Sequence, residues 1–114
     1  MCPIQIIRNR KAVRQRWTCY YCRQPMWCRN VEGFAHRHKL PVAKAGLLQL
    51  TAEHLRARRD GGVNSYANIA AACLYCNRMR HQLGDVLSPA AYVQYVRSEL
   101  RAGRWHGIVI NPAQ

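Results

Sequence analysis

Cys19-Tyr20-Tyr21-Cys22 and Cys73-Leu74-Tyr75-Cys76 repeat one spacing, with two residues between the thiols of each pair. Each pair can offer two thiolates to one ion, and two pairs complete a tetrahedral sulfur shell, which is zinc's preference. The pairs stand 50 residues apart, so such an ion would clamp two distant segments of the chain. Two other readings remain. A thioredoxin-like redox dithiol explains one pair and leaves the other idle; alternatively, all four are ordinary buried cysteines. A closed sulfur shell has no open position for substrate, so this site is expected to hold the fold while the chemistry lies elsewhere. Cys2 and Cys28 receive no role, Cys28 being a candidate for burial.

Outward from these pairs, local pattern suggests the elements. Residues 8–16 carry five cations and read as a basic helix, preceded by the short apolar run 4–7. Leu47, Leu48, Leu50 and Leu55 bracket a strand ending near Glu53-His54. Arg56 to Asn64 contains Gly61-Gly62 and reads as a loop. Ala70 to Leu83 is alanine-rich and reads as a helix that Gly84 could end. Ser88-Pro89 looks like an N-cap followed by a first-turn proline, and Gly103 sits where a C-terminal glycine belongs, so 89–102 reads as a helix. Val93, Val96 and Leu100 supply its apolar spacing. Ile108-Val109-Ile110 reads as a last strand, and residues 29–46 show no clear pattern.

The chain has 114 residues, one domain's worth, with 18 Lys+Arg against 5 Asp+Glu and a formal charge of +13. Most of the cations are arginines, whose planar fork suits phosphate better than the point charge of lysine. A polyanionic partner is therefore expected. Hydrophobic residues make up 49% of the chain, which excludes a disordered basic tail. So short a chain has a small core, and a metal staple would help it. No apolar run approaches the ~20 residues of a membrane span. The start, Met1-Cys2-Pro3-Ile4, lacks the order of a secretory leader, so a reducing, cytoplasmic placement is expected.

Between the cysteine pairs, Glu53 and His54 stand side by side in a chain with few acids. They offer an oxygen ligand for a hard cation and a base whose ordinary pKa lies close to working pH. Asn77 and His81, four residues apart, share one face of a helix. The set Glu53-His54, Gly61-Gly62, Asn68 and Cys73-x-x-Cys76-Asn77 resembles the HNH endonuclease family. The resemblance covers about residues 19–81 and is strongest over 53–77.

That resemblance implies an α+β fold: a ββα-metal finger of two strands and a helix, stapled by four-cysteine zinc and flanked by helices. It implies a single nuclease domain over 1–114. The motif core would span about 19–81, with a basic N-terminal segment over 4–18 and a C-terminal helix over about 89–102. The implied activity is metal-dependent hydrolysis of DNA phosphodiester bonds, leaving 5′-phosphate and 3′-hydroxyl ends. Residue by residue, Glu53 takes the place of the acidic metal ligand and His54 that of the general base. Asn68 matches the asparagine that braces the loop and orients the base, Asn77 a metal ligand, and His81 a further ligand seen in colicin-type DNases. Cys19, Cys22, Cys73 and Cys76 would hold structural Zn2+, and Mg2+, Mn2+ or another divalent ion would serve catalysis. Ala57 stands where the family usually has proline.

Arg56, Arg58, Arg59, Arg78 and Arg80 are the expected phosphate contacts near the cut. Arg8, Arg10, Lys11, Arg14 and Arg16 form a second basic segment that could track the backbone. Double-stranded DNA is the expected partner, and so small a chain points to targeting by a protein partner or a second copy. Such small proteins are often found in phages or mobile elements. The alternative is a zinc-stabilised nucleic-acid-binding module without catalysis.

Overall fold

Leu50–His54 and Ile69–Cys73 pair as the antiparallel strands β1 and β2, with Leu50 opposite Cys73 and His54 opposite Ile69. The structure, a computed structural model, describes residues 3–83 and 87–111. Helices Pro3–Arg14 (α1), Val31–His38 (α2) and Val42–Gly46 (α3) precede the sheet, and Leu74–Gln82 (α4) and Pro89–Arg101 (α5) follow it. The result is the expected small α+β arrangement. Its ββα unit is β1, β2 and α4.

The alanine-rich run corrects the expectation of one helix over 70–83. Residues up to Cys73 form β2 and the helix starts only at Leu74. All five residues of β2 are buried. Pairing with β1 on one edge and packing of α1 against the strand override alanine's helix preference. The small side chains let α1 approach closely. Gln15, just beyond α1, acts as a substitute strand: its Nε2 donates to Ala71 O at 2.8 Å and its Oε1 accepts from Ala71 N at 3.1 Å. Gly84 lies outside the described residues.

The basic helix begins earlier than residue 8 and ends at Arg14. Trp17 N donates back to Ala12 O and Arg16 N to Val13 O, a Schellman closure that places Arg16 in the left-handed region at φ 56°. Residues 29–46, unreadable from pattern, hold α2 and α3. Asn30 caps α2 through Oδ1 on Gly33 N, and the Trp27 indole donates to Ala45 O at 2.7 Å, tying α3 to the chain before α2.

Ser88 caps α5 as expected, with Pro89 in the first turn. Its buried stripe is Tyr92, Val96 and Leu100, with Val93 half-buried beside it. Residues 108–110 form no strand. Instead, Gln24, itself buried, accepts from Ile110 N and Asn111 N through one oxygen, so a side chain does the work a neighbouring strand would do. The core joins α5, the cysteines, Tyr21, Leu48 and Leu50. Among the described residues, no helix is long and apolar enough to cross a membrane.

Candidate functional site

The first cysteine pair sits on a tight knuckle. Cys19 N donates to Gln24 O, Arg23 N donates to Cys19 O, and Arg23 takes φ 64° to close the turn. The second pair straddles the junction of β2 and α4, where Cys73 Sγ caps the helix by accepting from Cys76 N. Tyr20 N on the knuckle donates to Ala71 O, pinning it to the free edge of β2. The sulfurs of Cys19, Cys22, Cys73 and Cys76 are all buried and within 4.8 Å of one another, and those of Cys22 and Cys73 are 3.9 Å apart. Tetrahedral zinc with sulfur at about 2.3 Å spaces its ligands about 3.8 Å apart, so the cluster fits zinc.

Donors aim at these sulfurs. Tyr21 N and Cys73 N point to Cys19 Sγ at 3.4 and 3.3 Å, and the Trp105 indole points to Cys76 Sγ at 3.3 Å. Burial and neighbouring thiols push Cys73 and Cys76 well up. Burial also works against ionisation of Cys19, but hydrogen bonds from the other three sulfurs overcome it and hold Cys19 well below its ordinary value. A divalent cation is what would let all four ionise together.

Glu53 lies near the C-terminal end of β1 and is 1% exposed. A buried carboxylate is costly unless every lone pair is matched. Here Oε2 accepts from Tyr21 OH at 2.7 Å and Arg80 Nη1 at 3.0 Å, and Oε1 lies 2.9 Å from His81 Nε2. Burial and the adjacent carboxylate push the Tyr21 phenol up, so it stays a donor. Asn77 Nδ2 donates to Thr51 Oγ1 and Ala52 O, which leaves its Oδ1 uncommitted among the described residues. Two adjacent ligands of an octahedral ion at about 2.1 Å stand about 3.0 Å apart. The separation of Glu53 Oε1 and His81 Nε2 matches that edge, and Asn77, one turn before His81 on α4, lines the same cavity.

Glu53, His54, Asn77 and His81 line one open cavity of about 370 Å³, with Arg58 and Arg59 at its rim. His54 Nε2 lies 2.7 Å from Asn64 Oδ1. An amide oxygen only accepts, so in the neutral ring Nε2 carries the proton and Nδ1 has the lone pair. Asn64 was not singled out from sequence, since it lies in a loop and its role depends on a fold-back over ten residues. Asn68 does not line the cavity. Its Oδ1 accepts from Arg56 N, and its Nδ2 donates to Arg56 O and Val63 O, so it braces the loop that carries Asn64.

The same loop explains its glycines. Gly61 takes φ 89°, and a Cβ on Gly62 would lie 1.8 Å from Arg56 O. Ala57, in the slot where proline was expected, adopts φ −59° and ψ 147°, the backbone that proline itself prefers.

The arginines divide differently from the expectation. Arg58, Arg59 and Arg78 are exposed, and the first two reach the cavity. Arg56 is exposed but donates through Nε to Asp60 O. Arg80 corrects the expectation of a phosphate contact: it is 2% exposed, and its guanidinium holds Glu53, His54 O, Leu55 O and Leu87 O. It neutralises Glu53 and ties the end of β1 and the residue before the α5 cap to α4.

Fold and site together define a small ββα domain with a buried four-cysteine cluster that fits zinc and an open cavity between strand end and helix. The family model for HNH endonuclease matches residues 19–83, more than half of the chain, and the protein belongs to the HNH endonuclease family. That family implies a nuclease-type function and a nucleic-acid substrate. No curated protein and no solved structure matches the chain.

Proposed function

We propose that this chain, as one nuclease domain, hydrolyses phosphodiester bonds in double-stranded DNA with His54 as general base. The reading is carried by His54, which lines one cavity with Glu53, Asn77 and His81 and has its Nε2 held by Asn64 Oδ1. His54 Nδ1 accepts a proton from water. The water oxygen forms a bond to phosphorus, and the bond from phosphorus to the 3′ oxygen breaks, its electron pair leaving on that oxygen. The ends are then a 5′-phosphate and a 3′-hydroxyl. Asn64 holds the productive tautomer, and Asn68 positions the loop that carries Asn64.

Glu53, Asn77 and His81 would hold the divalent ion. Mg2+ or Mn2+ suits their mixed oxygen and nitrogen donors, and the bound ion supplies charge neutralisation at the phosphate. Arg58 and Arg59 bind the flanking phosphates, which gives affinity without sequence preference. Zn2+ on the four cysteines is structural.

The test is cleavage of supercoiled plasmid by protein that keeps its cysteine-bound zinc, given Mg2+, Mn2+, Zn2+ or Ni2+ singly. A positioned base contributes typically 10²–10⁴-fold, so His54→Ala lowers the rate by about that factor while DNA affinity without added catalytic metal stays the same. An undiminished rate in His54→Ala refutes the assignment. Absence of cleavage with every ion leaves the zinc-stabilised binding module as the better account.

A further inference from the structure

A second cavity, of about 460 Å³, shares no lining residue with the first. Arg14 and Arg16 reach it from the end of α1, Arg23 from the knuckle, and Arg97 from α5, with Thr18 and Tyr20 between them. Sequence reading grouped Arg14 and Arg16 with a basic segment; the fold adds two arginines from elsewhere in the chain. No acidic residue lines the cleft. None of the four guanidiniums has a hydrogen bond or ion pair with another described residue, and Arg97 Nε is buried without a partner.

A buried donor without an acceptor is rare in a folded protein and asks for an unseen partner. Four like charges around one cleft also repel one another. Arg16 and Arg23 stand at φ 56° and 64°, a region that glycine or asparagine occupies at less cost. One bland reading is that Arg14 and Arg16 offset the negative end of α1. That reading accounts for neither Arg23 nor the orphaned Nε of Arg97.

We infer that this cleft is a second phosphate-binding site, which seats the DNA backbone away from the cut. The inference rests on the nuclease reading for its choice of polyanion. The cleft adjoins the free edge of β2, where Tyr20 and Gln15 bond to Ala71, whereas the catalytic cavity lies beyond the end of β1. DNA engaging both sites must therefore run across the sheet. The molecule's longest extent is 39 Å, and one strand advances about 3.4 Å per nucleotide, so a duplex of about 12 base pairs suffices to span them.

The test measures binding of a 20-base-pair duplex to zinc-loaded protein in EDTA-free buffer without added catalytic metal, by fluorescence anisotropy across a salt series. Arg14 and Arg23 are exposed, so Arg14→Gln/Arg23→Gln reads the cleft without disturbing packing, and Arg97→Gln is then added. Each phosphate contact contributes about 0.9 to the slope of log affinity against log salt. The triple variant should lower that slope by about 2 to 3 and weaken binding at least tenfold. Arg29→Gln/Arg37→Gln/Lys39→Gln removes equal charge elsewhere and should have a smaller effect on both. Equal losses in the two triple variants, or an unchanged slope in the cleft variants, overturn the proposal.

Hydrolysis of bis(p-nitrophenyl) phosphate, with metal added, is read in parallel, because so small a diester needs only the catalytic cavity. Cleft variants should hydrolyse it at the parental rate. If the parent binds duplex through the cleft but never hydrolyses this ester, the cleft stands and the nuclease reading falls. If it hydrolyses the ester and the cleft variants bind duplex normally, the reverse holds.

Discussion

Replacing Arg80 with methionine should be the most damaging single change in the molecule outside the zinc site. The guanidinium is buried, lies 3.0 Å from the 1%-exposed Glu53 carboxylate, and also serves the carbonyls of His54, Leu55 and Leu87. Methionine fills much of the space but leaves a buried anion with only Tyr21 and His81 as partners. Removing one member of a buried ion pair costs about 3–5 kcal/mol, against a typical total stability of 5–15 kcal/mol. For a domain of this size that lowers the melting temperature by roughly 10–25 °C. The assay is thermal unfolding by circular dichroism in excess zinc, for Arg80→Met, Glu53→Gln and the double variant. Neutralising Glu53 removes the uncompensated charge, so the double variant should lose at least about 1 kcal/mol less than the sum of the two single losses. An Arg80→Met protein within about 1 kcal/mol of the parent, or strict additivity, would refute the view that Arg80 exists to neutralise Glu53.

Further outcomes can be checked independently. Asn64→Ala frees the His54 ring to adopt either tautomer and should slow plasmid cleavage at least several-fold with unchanged melting temperature; a parental rate would exclude the tautomer role. One zinc per chain should be released by a thiol-modifying reagent, as read by a chromogenic chelator, and Cys73→Ser should lose both the zinc and the folded signal. Because burial holds Cys73 and Cys76 well above the ordinary thiol range without an ion, zinc uptake must expel protons, and its affinity should fall as pH falls. His106 is buried, and burial lowers its pKa to about 4. The unfolded chain therefore binds a proton that the folded chain refuses, so this stabilisation is full above about pH 6.5 and is lost as pH falls toward 4, roughly 3 kcal/mol in all. His106→Asn keeps an acceptor for Ile108 N and should flatten that part of the pH dependence of unfolding in denaturant.

What could be read in the sequence was what spacing encodes. The two cysteine pairs, the Glu53-His54 strand end and the capped helix α5 are local or periodic signals, and each lies where its pattern placed it. The alanine run over 70–72 misled because alanine favours a helix in isolation, while β2 is decided by β1 and α1 on either side. Residues 108–110 read as a strand from their apolar character, but the Ile108 amide is met by His106 and the Ile110 amide by Gln24, a partner 86 residues away that no local pattern exposes. Arg78 and Arg80 look alike in sequence. One faces solvent and the other is buried, and the difference comes from Glu53, 27 residues earlier. Asn64 was missed for the same reason: its bond to His54 exists only once the loop has folded back under the hold of Asn68.

The Trp105 indole donates to Cys76 Sγ, and the Gln24 clasp holds residues 110–111 beside the cysteine knuckle, so the sulfurs are covered by a segment remote from them in sequence. Local opening of residues 105–111 would uncover the sulfurs while the strands and α4 stay folded. Exchange of a bound ion with chelators would then follow the free energy of that opening and not the free energy of global unfolding.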